Sequence, residues 1–528
     1  MKILSIKYFF NIFLIVFFLT GSFSSINVGI SHDEWHEEQN WKFNLEIIEN
    51  THKKIFSKDT NNFNKVSLDQ YYGIGFQFVS QPIQSILKST VQKYQNVNDF
   101  GAKLISKHFV IFLFFFISGI CFFQIIKKTI KDKNICYFST CIYFLYPYLL
   151  GHSMFNPKDV PFMSIWLLCT YLSLNIFEKL LKGKSLTYLQ ISVISFCTAF
   201  LLSIRVTGVL IFFQYLITFI IFINSQNTNL VDIIKQFYKK FLIFIALLTL
   251  FIFILNPVYW ANPVAFIHAI KWMSHYYHDI CTNTFGTCLS AKDLPPTYML
   301  IWFSVKLPLI IILGILLIPF IEKKIFQEKR NTLVYGSILG TAIFIPLLLI
   351  FINVNLYDEI RHVMFLIPLF FILGLTSLFY FSKRFFYILG FLSICIFLIE
   401  NFKIYPYQYV WFNTPSRYLD LTKKFELEYM GISGKEISKK IISLEQDETC
   451  ILASPGHTVE PYFHMSKFTC FDKWQLIDTN YKRPFFAVQH VRNIKKGIPY
   501  NCRSIYDSGF KLLFHKERFT TGKLLKCF

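Results

Sequence analysis

Charged residues are scarce in this chain. Asp, Glu, Lys and Arg together make up 16% of its 528 residues, whereas soluble globular proteins have about 25%. Hydrophobic residues make up 54%, and 63 residues are Phe, arranged in long Ile/Leu/Phe runs. This composition excludes an ordinary soluble protein. It predicts a mainly α-helical, polytopic membrane protein.

The sequence also lacks the motifs of several protein classes. The basic connections contain no P-loop and no GxGxxG before a helix, and they are too short for a nucleotide-sugar-binding domain of about 100 residues. No small-residue cleavage site follows the apolar run at 8–20, so we interpret this run as a retained first span. The sequence contains no CxxC…CxxC spacing of the kind that indicates structural zinc. If the protein is an enzyme, its substrates should therefore arrive on lipids or from outside.

We predict about eleven membrane spans from the apolar runs. They lie near residues 8–30, 109–126, 136–150, 160–177, 187–204, 209–223, 241–258, 298–320, 332–354, 362–380 and 386–400. Lysine and arginine concentrate in every second connection, which the positive-inside rule places in the cytoplasm. We expect a multi-pass protein of the cytoplasmic (inner) membrane, with the N-terminus inside and the C-terminal segment outside. The net charge of +21 is then carried mainly by the cytoplasmic loops. We expect membrane lipids, and no nucleic acid, among the partners of the protein.

The polar segments predict the domain organisation. Residues 1–400 should form the helical bundle, with a first outer loop at 31–108 that contains interfacial helices, one of them in LDQYYGIGFQFVSQPIQSIL. Within 401–528, GKEISKKIISLEQ predicts a helix, whereas TCILAS, RPFFAVQHV and FKLLFH predict strands. We therefore expect a small extracytoplasmic α/β domain. On the same outer side, Cys281 and Cys288 are candidates for a disulfide that closes a short loop.

The segment SHDEWHEEQNW, directly after the first span, concentrates groups that can carry a proton or a metal. If it is helical, Asp33 and Glu37 share one face, as do His32 and His36. Asp33 or Glu34 would then be placed to accept a proton from an attacking hydroxyl. The alternatives are a solvated acidic cap and a zinc-protease-like pair of histidines with Asp33 as base. The shorter Asp side chain and the missing third ligand argue against the protease.

Further candidates occur in three other outer connections. In NPKD, Asn156 and Lys158 precede Asp159, where the lysine offers a charge for a phosphate and the carboxylate is a candidate metal ligand. The alternative is a helix-entry turn with Asp159 as a cap.

Arg205 in SIRVTG ends an apolar run, where a lipid phosphate would be a suitable partner and snorkelling to headgroups is the alternative. The segment YDEIRH, which contains Arg361 and His362, again places acidic and basic residues at a span end, where Arg361 could hold a phosphate. Spacing equally allows local Asp358–Arg361 or Glu359–His362 pairs.

The ordered series of these motifs resembles the GT-C membrane glycosyltransferases near glycosyltransferase family 39, which includes protein O-mannosyltransferases and lipid A aminoarabinose transferases. The resemblance covers about residues 1–415. It lies in the Asp33–Glu34 pair, FNPKDVPFMSIWLLCTYL, IRVTG, LPPTYMLIWFSVKLPL, RHVMFLIPL and YPYQYVWFN. It implies that Asp33 is the general base with Glu34 beside it. It also implies that Asp159 helps to hold a divalent metal (Mg or Mn) or donor phosphate, and that Lys158, Arg205 and Arg361 bind the phosphate.

The expected activity is inverting transfer of a sugar from a polyprenyl-phosphate donor to a lipid, glycan or protein acceptor at the outer membrane face. A ligase or polymerase that uses lipid-diphosphate donors remains an alternative. A transporter or flippase is another, although it would favour polar residues inside the spans, which here are nearly pure Phe, Ile and Leu.

Overall fold

The computed structural model describes residues 6–56, 71–226, 230–274, 280–444, 450–463, 471–473, 485–491 and 501–528. The described chain is mostly helical, with a small sheet near the C-terminus. The first ten α-helices are Ile6–Asn27 (α1), His32–Phe56 (α2), Gly75–Gln95 (α3), Asp99–Thr129 (α4), Lys133–Leu145 (α5), Pro147–His152 (α6), Asp159–Leu181 (α7), Tyr188–Ile204 (α8), Ile211–Gln226 (α9) and Leu230–Leu255 (α10).

Ten further helices follow. They are Val258–Ala261 (α11), Ala265–Ser274 (α12), Tyr298–Lys306 (α13), Leu309–Leu316 (α14), Ile318–Ile325 (α15), Lys329–Phe351 (α16), Ile367–Phe381 (α17), Lys383–Lys403 (α18), Leu421–Lys424 (α19) and Gly434–Ile442 (α20). Short 3₁₀ helices at Val206–Leu210 and Arg361–Leu366 lead directly into α9 and α17.

Eight helical segments of the described residues are long and apolar enough to cross a membrane. They are Ile6–Asn27, Asp99–Thr129, Asp159–Leu181, Val206–Gln226, Phe237–Leu255, Lys329–Phe351, Arg361–Phe381 and Lys383–Lys403. Each coincides with a predicted span, so the prediction of a mostly helical protein with several helices suited to spanning a membrane is confirmed. A ninth predicted span lies on α8, an apolar helix shorter than this length criterion.

The two remaining predicted spans, near 136–150 and 298–320, lie on broken helices. Tyr146 is extended (ψ 114°) between α5 and α6, and Leu307 is extended (ψ 139°) between α13 and α14. Each precedes a proline, Pro147 or Pro308, which disfavours helical geometry in the residue before it and cannot donate a backbone hydrogen bond. The run of apolar residues therefore predicted the helices but not their interruptions.

The helices pack closely where small residues meet. Gly314 on α14 lies against Gly374 on α17, and a Cβ built on Gly314 would come within 2.0 Å of the Gly374 carbonyl oxygen. Two backbones can approach this closely only without side chains at the crossing. Elsewhere aromatic rings fill the space, as where Phe17 on α1 lies 4.7 Å from Phe144 on α5 between ring centroids.

The C-terminal strands form a mixed five-stranded sheet. Its strands are Cys450–Ser454 (β3), Phe471–Lys473 (β4), Phe485–His490 (β5), Cys502–Phe510 (β6) and Phe519–Cys527 (β7), in the order β4-β3-β5-β7-β6. A separate hairpin pairs Cys281–Thr284 (β1) with Thr287–Ser290 (β2). The predicted helix at α20 and the predicted strands at β3 and β5 are confirmed.

The predicted strand FKLLFH is wrong. Strand β6 ends at Phe510, and the chain turns through the following residues, where Phe514 has φ +60°. Leu512 is buried and the His515 N–H donates to its carbonyl, so the apolar run forms a packed hairpin connection. Burial alone therefore does not distinguish a strand from a turn in a short apolar run.

Disulfides join Cys281 to Cys288 and Cys502 to Cys527. The first pair confirms the sequence prediction, while the second was not predicted.

Residues near the C-terminal sheet also hold the start of α2. The His32 N–H donates to the Met430 carbonyl at 2.7 Å, and the Lys435 Nζ donates to the Asn27 carbonyl at 2.7 Å. The C-terminal segment thereby fixes the position where the polar motif SHDEW begins.

Candidate functional site

At the start of helix α2, Glu34 is held by the backbone before the helix and by a side chain of α4. One Glu34 oxygen accepts from the Ser31 N–H at 2.6 Å, and the other contacts His108 Nε2 on α4 at 2.8 Å. His108 Nδ1 lies 2.9 Å from the Ser25 carbonyl. Both ring nitrogens of His108 therefore face oxygen atoms. Glu34 is fully buried, and the structure therefore gives it a role in fixing the helix start.

Asp33, one residue earlier, points to a different environment. Its carboxylate accepts a hydrogen bond from Arg361 Nη1, and its side chain is 24% exposed. Burial would raise the pKa of Asp33, but Arg361, His32 and His36 together outweigh burial and lower it to about 2. In this arrangement Asp33 is a charged, accessible carboxylate of low basicity.

Arg361 joins three carboxylates. Besides Asp33, its Nη2 donates to Asp358 at 2.9 Å, and its Nη1 lies 3.6 Å from an Asp159 oxygen. The local Asp358–Arg361 pair that spacing allowed is therefore present, together with two contacts to segments far apart in sequence. Burying a guanidinium that is 6% exposed requires such compensation.

Asp159 starts α7 and is held from all sides. Arg205 Nη1 donates to one of its oxygens, and Asn156 Nδ2 donates to the other at 3.0 Å. The Asn156 Oδ1 in turn accepts from the Asp159 and Lys158 N–H groups at 2.9 and 3.2 Å. Asn156 thus forms the turn that aims Asp159 at the two arginines.

The predicted metal does not fit this donor set. Both Asp159 oxygens are engaged by cationic or amide donors, which compete with a metal ion for the same lone pairs. Among the described residues, no group of three or more His, Cys, Asp and Glu side chains has metal-binding geometry. The histidines of the zinc-protease interpretation, His32 and His36, meet edge to face at 5.0 Å between ring centroids.

Glu37 lies one helical turn after Asp33 and pairs with Lys158. Their charged atoms are 2.9 Å apart, and Lys158 also donates to the Gly73 carbonyl at 3.1 Å and lies over the Tyr72 ring. The His36 side chain is exposed to solvent and lies next to Trp35. The face shared by Asp33 and Glu37 is therefore the face that meets the basic residues.

The turn before Arg361 contains features that the sequence analysis missed. Asp358 and Glu359 are consecutive left-handed residues, with φ of +54° and +66°. The Asp358 N–H donates to Thr282 Oγ1 at 2.9 Å, and the Tyr298 hydroxyl donates to the Glu359 carbonyl at 3.1 Å. Such strained pairs persist only where surrounding contacts enforce them, and they occur often at functional sites.

Glu359 also forms a fully buried ion pair with Lys306, with charged atoms 2.9 Å apart. Lys306 lies under aromatic rings, the closest of which is Phe412 at 4.0 Å from the ring centroid. Burial raises the pKa of Glu359 to about 8, although Lys306 opposes this rise. A single lysine inside the apolar run PTYMLIWFSVKLPL was the sequence feature that marked this pair.

A cavity opens beside these groups. Its volume is about 80 Å³. Its lining includes Lys158, Arg205, His362, Tyr72 and Tyr357. His362 lies edge to face with Tyr357 at 4.4 Å between ring centroids.

The structure thus brings together Asp33, Asp159, Arg205 and Arg361 from four separate connections, with Lys158 and Glu37 adjacent. Glu34 is adjacent in sequence but is turned toward His108 on α4. A scan against protein-family models and a search of curated proteins each find no match to this chain.

Proposed function

We propose that this protein is an integral-membrane glycosyltransferase that moves a sugar from a polyprenyl-phosphate donor to a hydroxyl acceptor. The observation that carries the proposal is the contact of a partly exposed carboxylate, Asp33, with Arg361, which is linked through Asp159 to Arg205. Arg205 and Lys158 line the neighbouring cavity. A base and an anion site are parts that transfer from a lipid phosphate requires.

In the proposed reaction the acceptor hydroxyl oxygen attacks the anomeric carbon of the donor sugar, and Asp33 takes the hydroxyl proton. The bond between that carbon and the phosphate oxygen breaks, and the electron pair leaves with the phosphate. Arg205 and Lys158 stabilise the charge that develops there. Attack from the side opposite the leaving group inverts the configuration. The products are the glycosylated acceptor and polyprenyl phosphate.

We place this reaction at the outer face of the inner membrane, with the N-terminus in the cytoplasm and the C-terminal sheet outside. The basic connections support this orientation through the positive-inside rule. The acceptor is a lipid, a glycan or a protein. No step is assigned to a divalent metal, because the Asp159 oxygens are already engaged by Arg205 and Asn156.

The central test is Asp33→Asn in purified protein. We expect turnover to fall by about 10²–10⁴-fold, the usual contribution of a general base, with donor binding no weaker than in the wild-type protein and a similar yield. Glu49→Gln is the control, because Glu49 is an exposed carboxylate on the same helix, paired with Lys53. Near-normal turnover of Asp33→Asn would refute the base assignment.

The same assay in detergent separates the rival functions. A transferase releases polyprenyl phosphate without any second compartment, whereas a flippase or transporter leaves the donor chemically intact. A ligase or polymerase with lipid-diphosphate donors releases polyprenyl diphosphate. Mass spectrometry of the released lipid distinguishes all three, and absence of released monophosphate with every donor tested would refute the proposed function.

A further inference from the structure

Both terminal nitrogens of the Arg361 guanidinium contact carboxylates. Nη1 contacts Asp33 and lies 3.6 Å from Asp159, and Nη2 contacts Asp358 at 2.9 Å. The remaining nitrogen, Nε, is buried without a hydrogen-bond partner among the described residues. A phosphate that binds the terminal nitrogens must therefore displace one of these carboxylates.

The three carboxylates differ in how easily they can be displaced. The Asp33 side chain is 24% exposed, whereas those of Asp159 and Asp358 are 1% and 5% exposed. A carboxylate that loses its cation needs water or another donor in its place, and a buried one has neither. Asp33 is therefore the partner that a phosphate can replace at the lowest cost.

The balance of charge at the site favours the same exchange. Four carboxylates, at Asp33, Glu37, Asp159 and Asp358, face three cations at Lys158, Arg205 and Arg361. An anionic donor adds to the excess of negative charge. The excess is reduced once Asp33 leaves the guanidinium and takes up a proton, which the acceptor hydroxyl supplies in the reaction.

We propose that Arg361 is a clamp on Asp33 that the donor phosphate displaces, so that the carboxylate is freed to accept a proton only when the donor is bound. This inference rests on the proposed function. It makes the base reactive at the moment when a sugar is in place, and it keeps the base weak otherwise.

Several groups surround Asp33 and set its proton affinity. His32 and His36 lie on its own helix, Arg361 and Tyr357 belong to the turn before α17, and His152 is at the end of α6. His457, from the C-terminal segment, stacks on His32. Arg361 is the strongest of the favourable influences on the charged form, and burial opposes it. Without Arg361, burial would act with less opposition and would raise the pKa of Asp33.

The test compares two pH profiles of the wild-type protein with a polyprenyl-phosphate sugar as donor. kcat/KM for the donor reports ionisations of the free protein, and kcat reports those of the donor-bound protein. We expect the acid limb of kcat to lie at least about one pH unit above that of kcat/KM, as for removal of a neighbouring opposite charge. Below that limb, kcat and KM should fall in parallel.

Two arginine variants form the matched comparison. Arg361→Gln should lower turnover and also bring the two acid limbs together, because Asp33 is no longer clamped in the free protein. Arg205→Gln also removes a cation of the site, but Arg205 contacts Asp159 rather than Asp33. We expect it to lower turnover while the separation of the limbs remains.

The outcomes separate the inference from the proposed function. Absence of transfer by the wild-type protein refutes the proposed function and the clamp with it. Transfer with coincident acid limbs in the wild-type protein overturns the clamp alone, as does an equal shift in both arginine variants. If Arg361→Gln does not fold, the wild-type comparison by itself still decides.

Discussion

Two adjacent carboxylates, Asp33 and Glu34, show how much local surroundings decide at the scale of single residues. Glu34 is fully buried, caps α2 and pairs with His108. Asp33 is partly exposed and contacts Arg361. A helix turns by about 100° per residue, so adjacent side chains meet different neighbours.

The first prediction follows from this difference. Glu34→Ala should lower the free energy of unfolding by about 3 kcal/mol, because it leaves the buried His108 without its partner and removes the cap. Asp33→Asn should change stability less, because Arg361 keeps its contacts with Asp358 and Asp159. Thermal unfolding in detergent, followed by tryptophan fluorescence, measures both. Normal stability together with lost turnover in Glu34→Ala would instead assign Glu34 to the chemistry.

A second residue-scale prediction concerns Glu359. Its pKa is raised in the folded protein from 4.5 to about 8, chiefly by burial. The folded state therefore binds more protons than the unfolded state between these values, and the free energy of unfolding should fall as the pH rises from about 4.5 to 8. Glu359→Gln, which cannot ionise, should show a smaller fall across this window.

Unfolding temperatures at a series of pH values test this prediction. Glu322→Gln is the control, because Glu322 is an exposed carboxylate on α15. If the wild-type protein and Glu359→Gln have the same pH dependence, Glu359 does not titrate in this window. In that case the Lys306 partner would keep the Glu359 carboxylate charged over the whole pH range.

At the scale of elements, α2 connects to three other parts of the protein: helix α4, the turn before α7 and the turn before α17. Asp33, Glu34, Glu37 and Glu38 pair with Arg361, His108, Lys158 and Lys103, respectively. Each partner comes from a different turn or position of another element. The acidic motif is therefore mostly an assembly surface, and Asp33 is the member of this set that retains the largest solvent-exposed fraction.

The hairpin of β1 and β2 is the second informative element. Thr282, next to Cys281, accepts from the Asp358 N–H and thus supports the left-handed turn before Arg361. We predict that Cys281→Ser with Cys288→Ser lowers stability by about 2 kcal/mol. It should also lower turnover per folded molecule about tenfold, because small displacements of positioning groups are costly.

The disulfide between Cys502 and Cys527 provides the comparison. It joins two strands of the C-terminal sheet, away from the Asp358 turn. Removing it should also lower stability but should leave turnover per folded molecule nearly unchanged. Equal losses of turnover in the two double variants would show that the hairpin has no particular connection to the site.

At the scale of the whole molecule, ion pairs are concentrated at two opposite ends of the long helices. Asp159 lies in the first turn of α7, and Glu178 lies near its last turn, about 30 Å away along the axis. Glu178 is held by Lys128 and Arg330, while Lys383 pairs with Asp132 at 2.7 Å. The basic connections therefore share one end, and the candidate site lies at the other.

This separation leads to a topology prediction. A reporter enzyme that is active only outside the cytoplasm should be active when fused after Phe528 and inactive when fused at Lys184. A fluorescent protein that matures only in the cytoplasm should give the opposite result. If both fusions report the same side of the membrane, the proposed orientation is wrong. The site would then not face the leaflet in which we place its lipid donor.

The sequence alone determined the membrane character, the helical class and most helix positions, because long apolar runs have few other stable arrangements. It also indicated Asp33, Asp159, Arg205 and Arg361 as polar residues at the ends of apolar runs. It overestimated the continuity of the segments at Pro147 and Pro308, because hydropathy does not report a proline break. It interpreted FKLLFH as a strand because a short apolar run does not by itself distinguish a strand from a turn.

Tertiary structure alone decided which polar groups meet. No spacing rule joins Arg361 to Asp33, or Lys306 to Glu359, because these pairs depend on helix rotation and on turns of unusual backbone conformation. The same holds for Glu34, which the sequence placed beside Asp33 and which the fold turns toward His108. Apolar burial is set by composition along the chain, whereas pairing of charges is set by packing between segments that are distant in sequence.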